Sequence, residues 1–219
     1  MTHATHSNAR GLLVTGTDTG IGKTVVSAML VDAIDGAYFK PVQAGLDEET
    51  DTEFVQRVTG LTPNRIIAEA YRLNTPASPH LAAAIDGVEI DTSRLTLPQT
   101  SCPLVVEGAG GVMVPLTAQV PYIEMFRRWQ LPTIVCARTS LGTINHTLLT
   151  IESLRRWSID VHGVVFVGDP HQENEAIIPK MGEVARLGRL PFLESLDIES
   201  LRTAFAQNFD IEQFTRVLT

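Results

Sequence analysis

The chain has 219 residues, 44% of them hydrophobic and 19% charged, which is enough for one substantial core and near the upper end for a single domain. Its formal net charge of −8 argues against a nucleic-acid surface, because phosphate backbones are bound by clustered Lys and Arg; any anion site must be local. No apolar run is long enough to cross a bilayer, and the polar stretch from Met1 to Arg10 lacks the apolar core of a signal peptide. These features predict a cytoplasmic protein with no membrane or nucleic-acid partner. Cys102 and Cys136 lie far apart, in or beside apolar strand-like runs, and read as reduced core thiols.

Residues 1–10 read as a disordered tail and 11–219 as one domain. The first predicted strand, 12–15, stops at Gly16-Thr17-Asp18-Thr19-Gly20-Ile21-Gly22-Lys23-Thr24 and restarts as a helix over 23–34. A strand, a glycine-rich turn and a helix in succession point several N–H groups and the positive end of the helix dipole at one small volume. Lys23 adds a charge and Thr24 a hydroxyl suited to Mg²⁺, so the stretch reads as a phosphate-binding loop. Five residues separate Gly16 from Gly22. The common pattern has about four.

A second strand over 37–39 ends at Lys40-Pro41, which places a lysine at a carboxyl end where something anionic belongs. Asp51 opens a helical pattern over 52–59 and is either a second metal ligand or an N-cap. The Pro-, Thr- and Ser-rich stretch 60–100 is the least regular part and is expected to hold one helix around 80–85. A strand over 104–106 then runs into Glu107 and the turn Gly108-Ala109-Gly110-Gly111. A carboxylate there, beside glycines that admit close backbone approach, suits a Mg²⁺ ligand shared with Thr24.

Helical spacing follows over 122–129, a strand over 133–137, and a glycine-containing bend, 139–146, that opens a helix over 145–157. That bend offers free N–H groups to a carboxylate or phosphate, although Asn145 and His146 also read as capping residues. A strand over 161–167, a helix over 174–187 and two further helical segments, 196–208 and 211–218, complete the chain. Apolar, β-branched runs alternating with helices predict an α/β fold with a doubly wound, mainly parallel sheet and helices on both faces. Its ligands bind beyond the carboxyl ends of the strands.

The loop, Lys40-Pro41-Val42-Gln43-Ala44-Gly45, Glu107-Gly108-Ala109-Gly110-Gly111, Gly142-Thr143-Ile144-Asn145-His146 and Gly188-Arg189-Leu190-Pro191 together resemble the dethiobiotin synthetase family over nearly all of the chain after Arg10. The resemblance implies a P-loop NTPase fold and a ring-closing ligase acting on 7,8-diaminononanoate, CO₂ and Mg-ATP. One amine takes up CO₂ as a carbamate, the carbamate attacks the γ-phosphate, and the second amine closes the ring by displacing phosphate. By the same resemblance Thr19, Lys23 and Lys40 carry the chemistry, and Thr24, Asp51 and Glu107 bind Mg²⁺. ATP is held by Gly20, Ile21, Gly22, Lys23, Thr24 and Val25, by Gly108, Ala109 and Gly110, and around its base by Val167, Gly168, Pro191, Phe192 and Leu193. Thr19, Lys40, Ala44, Ser78, Gly142 and Asn145 contact the diamino acid, and a homodimer completes each substrate site from the partner subunit.

Three positions depart from the family pattern. Ala44 stands where relatives usually carry Ser or Thr, with Gln43 beside it as a replacement donor, and Gly20 where some carry Glu. Val167-Gly168-Asp169-Pro170 lacks the Asn that commonly reads adenine. The competing reading is a dimeric P-loop switch ATPase of the partitioning type. Such loops carry an early second lysine, and here none lies between Gly16 and Lys23.

Overall fold

The computed structural model describes residues 10–218, so the expected tail falls outside the described residues except for Arg10. Chain order begins with β1 (Gly11–Gly16), α1 (Lys23–Ala33), β2 (Ala37–Phe39), β3 (Val42–Ala44) and α2 (Asp51–Thr59). The irregular stretch contributes β4 (Ile66–Ile67), β5 (Tyr71–Leu73) and α3 (Pro79–Asp86). The second half supplies β6 (Leu104–Gly111), α4 (Ile123–Trp129), β7 (Thr133–Arg138), α5 (Thr143–Arg156), β8 (Val161–Val167), α6 (Gln172–Gly182) and β9 (Ala185–Leu190). Two helices, α7 (Ile198–Asn208) and α8 (Glu212–Thr215), follow.

Seven strands form one sheet in the order β4-β2-β6-β1-β7-β8-β9, and every pairing in it is parallel. β3 and β5 make a separate parallel pair. Side chains alternate across each strand, so Leu13 packs on one face with Val106, Val135, Phe126 and Leu154. Leu12 and Val14 pack on the other with Val26, Leu30, Val55, Val165 and Leu201. Helices α4, α5 and α6 thus cover one face and α1, α2 and α7 the other, which is the doubly wound arrangement. β1 is buried along its whole length and lies between β6 and β7, so its carboxyl end opens at the middle of the sheet's edge.

Three departures from the sequence expectation occur, two of them with a visible local cause. The helix expected over 174–187 ends at Gly182: Glu183 turns into the left-handed region at φ 48°, Val184 N–H closes on Pro179 O, and the chain leaves as β9 against β8. The stretch Gly108 to Gly111 is not a turn after the strand but its continuation, with the β1–β6 register slipping between Val14 and Gly16. The helix expected over 211–218 is a single turn, Glu212–Thr215.

Candidate active site

The phosphate loop joins β1 to α1. Gly20 at φ 67° and Gly22 at φ 93° take left-handed backbone that a Cβ would strain, and a Cβ on Gly22 would also press within 3.1 Å of Val167. Lys23 is buried, and its Nζ donates to Asp18 O at 2.8 Å, across the loop it belongs to. Burial lowers its pKa, with Glu107 opposing. The far side of the loop is held by a residue the motif does not contain. Arg138, at the end of β7, donates from Nη2 to Asp18 Oδ2 at 3.2 Å and Thr19 O at 3.3 Å.

Behind the loop, three oxygens converge. Thr24 Oγ1 lies 2.9 Å from Asp51 Oδ1 and 3.0 Å from Glu107 Oε1, and one hydroxyl proton serves both. Asp51 is not the N-cap of α2. Thr50 caps that helix in a reciprocal pairing with Glu53, which frees the Asp51 carboxylate to face Thr24 and Lys40. Lys40 is buried; its Nζ donates to Asp51 Oδ2, and to Glu107 Oε1 at 3.1 Å. Burial alone would lower the Lys40 pKa, but Glu107 and Asp51 outweigh it and raise it. Burial likewise pushes Asp51 up, and Lys40 more than cancels that, leaving its pKa lowered.

The opposite oxygen of the buried Glu107, Oε2, accepts from Tyr38 Oη at 2.9 Å. Burial first, and then Glu107, hold the Tyr38 phenol well above its ordinary pKa, so it acts as a donor. A hydroxyl and two carboxylates with a cationic group already between them form an oxygen-only donor set, which suits a hard divalent ion such as Mg²⁺. Among the described residues no group of three or more His, Cys, Asp or Glu offers a softer alternative.

A cavity of about 610 Å³ opens over these groups. Thr19, Gly20, Ile21, Gly22, Lys23 and Thr24 line one wall, Lys40, Ala44 and Asp51 another, and Ser78, Glu107, Ala109 and Gly110 the rest. Gln43 also lines it, but its amide is already engaged: Nε2 donates to Ala44 O and Gly45 O, and Oε1 accepts from Asp51 N–H. Gly108 does not line it. A Cβ at that position would meet the Phe126 ring at 2.8 Å, so its smallness serves packing.

A second cavity, about 340 Å³, lies beyond the loop and is lined by Gly20, Ile21, Gly22, Val25, Val167, Pro191, Phe192 and Leu193. Arg138 sits at its rim, and Phe192 is 73% exposed. Gly168 adjoins Phe192 and needs φ 127°, where a Cβ would strike Thr139 Oγ1 at 2.7 Å. Gly142 and Asn145 are not brought to either cavity. Gly142 caps α5 at φ 92° and borders a recess of about 100 Å³ shared with Thr17, Asp18 and Arg138, and Asn145 is exposed on the same helix start.

Sequence reasoning missed Tyr38 and Arg138. Tyr38 lies within the expected strand 37–39, and Arg138 is the residue just past the expected strand 133–137. No motif marks either. Their roles come from strands 65 or more positions apart in sequence meeting at one edge, as the separations of 69 for Tyr38–Glu107 and 120 for Arg138–Asp18 record.

A family model described as "AAA domain" matches residues 10–200. ATP-dependent dethiobiotin synthetase BioD of Rhodopseudomonas palustris strain BisA53 is 60% identical, covering 95% of this chain and 98% of its own. The BioD of strain BisB5 is 58% identical over 94% of this chain and 97% of its own, and that of Brucella anthropi 56% identical over 94% and 97%. Among solved structures, a ParA family ATPase from Chlorobium tepidum TLS superposes with TM-score 0.52 at 9% identity over 96% of this chain and 97% of that one. The Pyrococcus furiosus cell division ATPase MinD gives 0.52 at 12% over 95% and 99%. At such identities the likeness concerns the P-loop α/β fold alone, whereas full-length identity near 60% concerns the family. The chain belongs to the ATP-dependent dethiobiotin synthetases.

Proposed function

We propose that this protein closes the ureido ring of dethiobiotin from 7,8-diaminononanoate, CO₂ and ATP, in the cavity where Lys23 at the start of α1, Lys40 just past β2 and Glu107 within β6 converge. That juxtaposition is the observation that carries the reading. The ATP phosphates lie along Gly20 to Val25, with the loop N–H groups, the α1 dipole and Lys23 offsetting charge that develops during transfer. Thr24, Asp51 and Glu107 hold Mg²⁺, which when bound draws charge from the phosphate oxygens. The base occupies the second cavity against Val167 and Phe192.

The substrate's diamine end lies beside Lys40, Thr19, Ala44 and Ser78. Lys40 Nζ is paired with Asp51 and Glu107 at this wall of the cavity, and its ammonium would face the carbamate anion. The carbamate oxygen attacks the γ-phosphorus and ADP leaves. The second amine then attacks the carbamoyl carbon, expelling phosphate with the bridging oxygen. Both amines belong to one molecule, so the last step needs orientation more than activation. The protein acts in the cytoplasm as a homodimer, the partner's Gly142–Asn145 helix start receiving the tail carboxylate; the exposure of that helix start, away from its own cavity, supports this.

Oxygen-18 bicarbonate tests the sequence of bonds. One label appears in phosphate and one stays in the ureido carbonyl; unlabelled phosphate would exclude carbamate attack on the γ-phosphorus.

A further inference from the structure

Tyr38 and Glu107 lie on neighbouring strands in a fixed relation. β2 pairs in parallel with β6 so that Tyr38 stands opposite Val105, two residues before Glu107 and on the same face of the sheet. The Tyr38 ring is fully buried in the layer that contains Val14, Val26, Leu30, Val55 and Val105, so packing fixes where its hydroxyl can reach. That hydroxyl donates to Glu107 Oε2 at 2.9 Å, while Oε1 faces Thr24 Oγ1 at 3.0 Å and Lys40 Nζ at 3.1 Å. The two carboxylate oxygens are thereby given different partners.

We infer that Tyr38 is a positioning residue for the metal corner, holding Glu107 Oε2 so that Oε1 alone is presented to the divalent cation. The inference rests on the reading of Thr24, Asp51 and Glu107 as the metal site. Without the hydroxyl, Oε2 would be a buried carboxylate oxygen lacking its donor, and the carboxylate would be free to turn about its last torsion. Ligating carboxylates depend on such outer partners for both orientation and affinity. Tyr122 supplies an internal comparison. It too is fully buried, yet its hydroxyl has no hydrogen-bond partner among the described residues.

The test is Mn²⁺ binding in the presence of ADP, read by electron paramagnetic resonance on the full chain, with melting temperature and the Mg²⁺ dependence of turnover alongside. Tyr38→Phe is expected to weaken Mn²⁺ about tenfold and to raise half-saturating Mg²⁺ equally, with kcat at saturating Mg²⁺ within about threefold of wild type. Tyr122→Phe leaves all three unchanged. With 4-fluorophenylalanine in place of Tyr38, which keeps the volume but donates nothing, the same loss of Mn²⁺ binding is expected. The inference is overturned if Tyr38→Phe lowers only the melting temperature, or if both Phe variants weaken Mn²⁺ alike. Glu107→Gln separates the two levels: if it weakens Mn²⁺ and Tyr38→Phe does not, the positioning role alone fails; if neither does, the metal site fails with it.

Discussion

The two cavities on either side of the phosphate loop are built on opposite principles. Where β2 ends beside the middle of β6, Lys40, Asp51, Glu107, Thr24 and Tyr38 share ionic and hydrogen-bonded contacts. At the ends of β8 and β9, Val167, Leu190 and Pro191 offer shape, Phe192 an exposed ring and Arg138 a single charge at the rim. Each member of the first group leans on the others, so removing one leaves a buried partner unsatisfied. On the proposed function, chemistry falls where the groups are over-determined, and the base meets a more open, apolar surface.

The comparison breaks most sharply at Lys23. Lys23→Ala is expected to lower kcat about a thousandfold, because it removes the buried cation that the phosphate loop holds next to the transferred group; stopped assays of phosphate release would show it. Lys40→Ala comes next, with about a hundredfold loss of kcat and an ATP Kd within about threefold of wild type by calorimetry, since Lys40 faces the substrate side. A comparable loss of ATP affinity would assign Lys40 to the nucleotide instead. At the apolar end, Phe192→Ala should raise the KM for ATP about tenfold, the worth of one stacked base, and leave kcat alone.

The smallest effect concerns pH. His162 in β8 is half-buried, and burial lowers its pKa although it hydrogen-bonds to Gln213 O. A depressed pKa means the unfolded chain takes up a proton first, so stability present above the ordinary histidine range is lost as pH falls through it. His162→Asn should flatten the fall in melting temperature between about pH 7 and 5 without affecting catalysis.

Much of the ionic end was legible in the sequence. The phosphate loop, Lys40 and Glu107 each stand where an apolar run stops, and glycine punctuation exposes them. Asp51 was legible only as two alternatives, because a helix start accepts aspartate as cap or as ligand. The structure removes the cap alternative, since Thr50 and Glu53 take the cap themselves. Tyr38 and Arg138 were invisible because their partners arrive from distant strands, and an apolar neighbourhood hides a tyrosine that donates. The β9 strand was hidden too: Ala185-Arg186-Leu187-Gly188-Arg189-Leu190 lacks the continuous apolar run of an inner strand, as the edge of a sheet allows. The absent adenine-reading Asn is consistent with an end that works through shape, where few single residues carry a signal.

The most direct measurement is a product assay. Purified protein given 7,8-diaminononanoate, bicarbonate and Mg-ATP should yield dethiobiotin by mass spectrometry, with one ADP and one phosphate per ring closed and little hydrolysis when the diamine is withheld. No dethiobiotin, with ATP hydrolysed at the same rate whether or not the diamine is present, would contradict the account.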